Sequence, residues 1–330
     1  MKKRHFLAFV LLAGLIPPLC RAADAPTAVS DPAKAARDPD FAIQGEYTGT
    51  VGERKVGVQV IALGDGEFEA VLSMGGLPGD GWDGEKPRGR SRAKRAEDGG
   101  VTFHREEWTG VLRDGKITVT SAADISLSAT LERVERTSPT LGEEPPEGAV
   151  VLFDGTPGSA AKHWEKAVLD GDLLTEGALG SVTFGDFTLH LEFRLPWMPD
   201  ARGQDRGNSG LYVSGRYEVQ MLDSFGLSGA DNECGGIYKV AEPKQNLCYP
   251  PLRWQTYDVE FTAAKFDAAG EKTADARLSV RHNGFLIHDS IALPGPTGGA
   301  RSKDEKGPGP VFLQDHGNPV RYRNIWVVEK

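Results

Sequence analysis

Between Phe187 and Leu195 the chain alternates without a break. Phe187, Leu189, Leu191, Phe193 and Leu195 are apolar, and Thr188, His190, Glu192 and Arg194 between them are polar. A period of two puts the sets on opposite faces of an extended strand, whereas a helix would mix them. Such a strand cannot bury its apolar face alone and requires a sheet and a second layer. The rest of the chain supplies more of the same. Val56, Val58, Val60 and Ala62 alternate, and after the turn signal Gly64-Asp65-Gly66 so do Phe68, Ala70 and Leu72. Asp114-Gly115 and Asn283-Gly284 sit between apolar runs as hairpin turns do. Ile125, Leu127, Ala129 and Leu131 alternate, and Tyr257, Val259 and Phe261 follow the same rule. With 41 Gly and 21 Pro to punctuate it, the sequence predicts an all-β protein.

Breaks in this pattern divide the 330 residues. Lys2, Lys3 and Arg4 precede an apolar run from Phe6 to Leu15, and small residues follow at Ala22 and Ala23. That is the layout of a secretory signal, expected over residues 1–22, with export to the periplasm or exterior. The Ala-, Pro- and Asp-rich residues 23–40 are expected to be a disordered linker. Residues 41–134 form a small β-rich domain of unassigned role, 135–148 a Pro-bearing linker, and 149–330 a larger β-sandwich. The formal net charge of -9 argues against nucleic acid as a partner. Loss of the leader removes Cys20 and leaves Cys234 and Cys248, which in an exported chain predicts one disulfide.

Four polar clusters lie among the strands of the larger domain. They are Arg206-Gly207-Asn208-Ser209-Gly210, Tyr217 to Ser224, Gly235-Gly236-Ile237-Tyr238, and Leu313 to Gly317 with Arg321 to Ile325 beyond it. In the second, Tyr217, Val219 and Met221 fall on one strand face and Glu218 and Gln220 on the other, with Asp223 where the strand runs out. An acid, an amide and an acid on one rigid segment suit a hydroxyl-rich ligand. Taken alone, a solvated strand face would explain them equally.

The ordered string NSGLYV, YEVQMLDS, GGIY, LQDHG and YRNI, with Leu152-Phe153-Asp154-Gly155 and Trp164 ahead of it, resembles the 3-keto-disaccharide hydrolase domain. The resemblance covers about residues 150–330. It implies a concanavalin- or laminin-G-like jelly roll that cleaves glycosides bearing a C3 ketone. The ketone acidifies the C2 proton, a base removes it, the enolate expels the C1 substituent, and water adds. Such a site needs a base, an enolate stabiliser and hydroxyl clamps. His316 and Glu218 are the rival bases, Asp315 is an alternative or an orienting partner, and Arg323 is the enolate stabiliser. Asn208, Gln220, Asp223, Tyr238 and Gln314 are candidate sugar-binding residues, with Tyr212 and Trp254 as aromatic walls. Glu218, Gln220, His316 and Arg323 are expected to line one cleft. Glu218, Asp223 and Asp315 are hard oxygen donors, but no Ca²⁺-loop or zinc spacing is present, so neither metal nor cofactor is expected. The competing reading is a non-catalytic carbohydrate-binding or cell-surface module of the same fold.

Overall fold

The computed structural model describes residues 27–124 and 128–330. The expected leader, and Ile125 and Leu127 of the alternating run, lie outside those residues. The regular structure of the described residues is nearly all strand, as the alternation requires. Its α-helices are the short segments Pro32–Ala35, Pro39–Ile43 and Pro157–His163. Among the described residues no helix is long and apolar enough to cross a membrane.

The first sheet has eight strands: β1 (Gly45–Val51), β2 (Arg54–Ala62), β3 (Glu67–Met74), β4 (Gly89–Lys94), β5 (Val101–His104), β6 (Trp108–Arg113), β7 (Lys116–Ser121) and β8 (Ser128–Val134). Their spatial order is β4-β3-β2-β1-β8-β7-β6-β5. An Arg95–Val101 bridge and the bond from Ala96 N to Gly100 O, 2.8 Å, join β4 to β5, so the sheet curls into an up-and-down barrel. Asp114 and Gly115 take positive φ in the hairpin that their sequence anticipates. The alternating side chains Val58, Val60, Phe68, Phe103, Leu112 and Ile117 meet inside.

Residues 27–43 stopper one end of this barrel. Asp31 and Asp38 cap two short helices, each with Pro at its start. The Val29 backbone pairs with Trp197, the Trp197 indole donates to Asp38 at 2.9 Å, and Phe41 packs edge-on against the same ring. The disordered linker expected over 23–40 is therefore corrected from residue 27 onward: its aspartates and prolines serve as helix starts, and its few apolar residues are anchored. The basic run after Arg88 is built into the barrel. It forms β4, with Arg90 and Arg92 bonded to Glu69 and Arg95 to Asp40. Trp82 stacks against Arg88.

The second unit is an antiparallel two-sheet sandwich of the jelly-roll kind. One sheet carries β10 (Phe187–Arg194), β13 (Trp254–Thr262), β14 (Ala276–His282), β15 (Phe285–Leu293) and β17 (Arg321–Glu329) in the order β17-β10-β13-β14-β15, with short strands at its edge. The other carries β9 (Leu179–Phe184), β11 (Ser209–Val213), β12 (Tyr217–Met221) and β16 (Gly309–Leu313) in the order β9-β16-β11-β12. Leu189, Leu191 and Phe193 of the first sheet pack against Leu211, Val219 and Leu313 of the second.

Residues 135–148 are a fastened strap. Thr140 donates to Asp258 at 2.8 Å and Gly142 N to Glu192 at 2.6 Å. Barrel and sandwich also meet through Phe225 with Ile61 and Val71, and the strap meets the barrel through the Arg136–Glu46 ion pair.

Candidate functional site

In β12 the core-facing residues are Tyr217, Val219 and Met221, so Glu218 and Gln220 project from the outer face of the smaller sheet. Strand register then fixes their neighbours. Glu218 lies opposite Tyr212, which lies opposite Phe312; Gln220 lies opposite Gly210, whose carbonyl accepts from Gln314 N at 2.9 Å. This face is not open to solvent, because two segments of the chain fold over it. Gly235 and Gly236 exchange backbone bonds with Gln220, and Thr297 Oγ1 accepts from Glu218 N at 3.0 Å. The Tyr212 hydroxyl donates to the Gly298 carbonyl at 2.5 Å and accepts from Gln314 Nε2 at 3.3 Å.

Glu218 is the singular group here. Only 3% of it is exposed, and it has no ion pair with any Lys or Arg among the described residues. Burial drives its pKa up to about 7, and the hydrogen bond with Tyr212 opposes that rise without cancelling it. Burial and the neighbouring carboxyl push the Tyr212 hydroxyl up as well, which keeps it a neutral donor. Three glycines let these groups approach. A Cβ at Gly210 would overlap Glu218 Oε1, and one at Gly299 would overlap the Tyr212 hydroxyl. One at Gly298 would stand 3.2 Å from the Tyr238 ring. Gln314 Oε1 is buried with no hydrogen-bond partner. Four of the expected residues therefore converge: Glu218, Gln220, Tyr238 and Gln314, with Tyr212 between them. Sequence reasoning missed Thr297, Gly298 and Gly299, although the Pro-Thr-Gly-Gly run was a signal of close backbone approach.

The amides expected to grip a sugar grip each other. Gln220 Nε2 donates to Asn208 Oδ1 at 2.8 Å and to two backbone carbonyls at 3.2 Å, while Asn208 Nδ2 donates to Gln204 O at 2.8 Å. Both are buried, so they brace the floor beneath Glu218. Asp315 and His316 occupy an exposed turn just past β16. Asp315 Oδ1 accepts from Gly317 N at 2.8 Å, and the His316 ring makes no hydrogen bond to Glu218, Gln220 or Tyr212.

Three expectations are overturned. Arg323 does not share the cleft with Glu218. In β17 Tyr322 points into the core, so Arg323 projects from the outer face of the larger sheet, with the whole sandwich core between it and Glu218. There it bonds Glu192 at 2.6 Å and stacks on Trp254. Asp223 is likewise no sugar ligand: it is buried at the junction with the barrel and paired with Arg206 at 2.6 Å. Cys234 and Cys248 are not bonded to each other but are two free, buried thiols. The Cys234 sulfur lies 3.2 Å from the Tyr257 hydroxyl, and Cys248 donates to the Leu222 carbonyl at 3.5 Å. Burial in this apolar setting pushes the Cys248 thiol well up, so it is held as an inert thiol.

The far face holds a second polar cluster, which is a charge network. His190 Nδ1 meets Asp258 at 2.6 Å and its Nε2 stands 3.7 Å from Glu192. Burial works to lower the His190 pKa, but the two carboxylates outweigh it and lift it to about 9. Burial works the other way on Glu192, where His190, Asn324, Gly142 and Arg323 hold it down to about 2. Glu143, His190 and Asp258 bring potential metal ligands within 4.8 Å of one another. A histidine that keeps its proton to such a pH is a poor metal ligand. Through Gly142 N on Glu192 and Thr140 on Asp258, this cluster fastens the strap to the sheet. A groove of about 430 Å³ beside it is shallow and shares Asp258 and Trp326 with it.

Comparison with known proteins bears on the sandwich alone. The model of the 3-keto-alpha-glucoside-1,2-lyase-like domain matches residues 148–328. A solved structure of a putative glycosyl hydrolase from Parabacteroides distasonis ATCC 8503 is 32% identical with a TM-score of 0.50, over 56% of this chain and 85% of that one. A second protein so described from the same organism is 14% identical with a TM-score of 0.40, over 56% of this chain and 95% of that one. No curated protein matches the chain.

Proposed function

The chain belongs to the 3-keto-alpha-glucoside-1,2-lyase-like domain family, and on that premise we propose that its sandwich cleaves glycosides whose sugar carries a ketone at C3, with Glu218 as the base. The observation that carries this reading is the Glu218 carboxyl itself. It is buried, without a cation, and poised to exchange a proton at about pH 7, where a general base works best. A structural carboxylate at such depth would have a cationic partner, as Asp223 and Glu192 do.

The chemistry follows from the donors around it. Ionised Glu218 takes the proton from C2, and electron density moves onto the C3 oxygen. The neutral Tyr212 hydroxyl and the Gln314 amide are hydrogen-bond donors that stabilise that oxygen. The C1–C2 double bond forms as the bond from C1 to the leaving oxygen breaks, and the proton on Glu218 passes to that oxygen. Water then adds across the double bond, so the net result is hydrolysis. Tyr238 supplies an apolar wall for the ring. Entry of a sugar requires the Thr297–Gly299 segment to move off Tyr212. His316 and Asp315, on the exposed turn beyond Gln314, are rim groups that meet the outer part of the substrate. The basic and apolar N-terminal residues make an exported enzyme the fitting setting for this reaction.

The reading favours catalysis over simple sugar binding because Asn208 and Gln220, the best hydroxyl clamps, already satisfy each other. The test is release of the aglycone from an aryl 3-keto-glucoside, with a C2-deuterated substrate alongside. Turnover with a primary isotope effect, and a loss of roughly 100- to 10,000-fold in Glu218→Gln, is the expected result. A variant with full activity removes Glu218 from the chemistry. A wild-type protein that binds the sugar without cleaving it leaves the binding-module reading in its place.

A further inference from the structure

The barrel is filled at one end only. The end stoppered by Phe41 and Trp197 is packed with Tyr47, Phe68, Phe103 and Leu131. Toward the other end the inward positions are Val56, Leu72, Met74, Trp108 and Val119, and between them they leave a cavity of about 1420 Å³. Two inward positions there carry no side chain. Gly89 lies opposite Leu72, and Gly110 lies against the Trp108 ring. The wall is mostly apolar, with Ser121 and the side of Arg90 among its polar parts. Near the mouth the seam between β4 and β5 is held by side chains: Ser91 Oγ donates to His104 O at 2.9 Å, and Arg105 Nη1 to Arg90 O at 3.2 Å. An eight-stranded barrel is wide enough to be filled by side chains or to hold one small ligand.

The mouth carries Arg54, Arg105, Glu106 and Glu107. Among these Arg105 is distinguished by its direction, since a Cβ on Gly89 would stand 2.8 Å from its Nη1. Its guanidinium therefore leans over the inner wall. Its Nη1 donates to a neutral carbonyl, and it forms no salt bridge with Glu106 or Glu107 beside it. Three other nearby arginines are paired, Arg90 and Arg92 with Glu69 and Arg113 with Asp98.

We propose that the N-terminal barrel is a binding site for an amphipathic molecule with an alkyl body and a single anionic head. The body lies among Val56, Leu72, Met74, Trp108 and Val119, and the head pairs with Arg105. The site is independent of the sandwich chemistry, and its variants leave cleavage of the 3-keto-glucoside unchanged.

The probe is dodecanoate below its micellar concentration, titrated into the full chain by calorimetry and by spectra of ¹³C-methyl methionine. One molecule binds per chain, and the Met74 methyl signal shifts while that of Met221, in the sandwich core, stays. Filling the cavity by Val119→Trp or Leu72→Trp lowers affinity at least about tenfold, because the alkyl body loses its place. Circular dichroism confirms that the variant tested is folded. Arg105→Ala lowers affinity for dodecanoate by roughly tenfold and leaves dodecanol within about twofold, since only the charged head is affected. The proposal falls if dodecanoate fails to bind, if it binds without moving Met74, or if both filling variants bind as the wild type does. Equal loss of dodecanol and dodecanoate in Arg105→Ala removes the assigned head group and overturns the anionic ligand.

Discussion

Replacing Glu218 by Gln should stabilise the protein and abolish its activity, and the stabilisation should depend on pH in a set way. Burial lifts the Glu218 carboxyl from 4.5 to about 7 in the fold. The folded chain therefore binds this proton more tightly than the unfolded chain does. Wild-type stability from this group is intact below about pH 4.5 and is lost as pH rises through about 7. Once the carboxylate is fully formed, the loss amounts to roughly 3 kcal/mol, at 1.36 kcal/mol for each tenfold change in proton affinity. Gln keeps the shape and the capacity to bond Tyr212 but carries no charge. Urea unfolding of both proteins at pH 5.0 and pH 8.5 measures the difference. The variant should gain less than about 1 kcal/mol at pH 5.0 and about 3 kcal/mol at pH 8.5, while losing at least about 100-fold in aglycone release. A gain that does not grow with pH would mean that Glu218 is not held protonated by burial, and the case for it as the base would fail.

Gly210→Ala drives a methyl group into Glu218 Oε1; kcat should fall at least about tenfold, with a stability cost of about 1–3 kcal/mol read from thermal unfolding. Arg206→Met strands the Asp223 carboxylate at the junction of barrel and sandwich, and chemical denaturation should show a loss of about 3–5 kcal/mol. His190, lifted to about 9 by Asp258 and Glu192, contributes stability that is complete below about pH 6.5 and declines as pH rises through 9; a His190→Phe variant should show a flatter stability profile across that window. Both thiols, Cys234 and Cys248, should react with a thiol reagent only after unfolding, and a protein without two reactive thiols under denaturing, non-reducing conditions would contradict their free state.

Much of this was legible in the sequence, because local chemistry decided it. Period-two alternation put Glu218 and Gln220 on one face and Val219 on the other, whatever the strand paired with. The Asp114-Gly115 and Asn283-Gly284 turns could fold only with positive φ. The motif resemblance grouped Glu218, Tyr238 and Gln314, which sit on one sheet and the segment folded beside it, but it grouped Arg323 with them too. Composition misled where a few contacts outweighed it. Residues 27–40 look like a linker, yet two capped turns and the Trp197 contact hold them.

What the tertiary structure alone decided was which sheet each strand joined and what covered it. Arg323 and Glu218 are both outward residues on strands, and nothing local to either shows that they belong to opposite layers. That assignment depends on β17 pairing with β10, far apart in sequence. The same holds for Asp223, whose partner Arg206 was visible only as a cluster of polar letters, and for Cys234 and Cys248, which are buried as free thiols. The acidity of Glu218 is the clearest case. A carboxyl next to Val219 has an ordinary pKa in any strand open to water. It reaches about 7 only because the Thr297–Gly299 segment and Tyr238 close over it and remove that water.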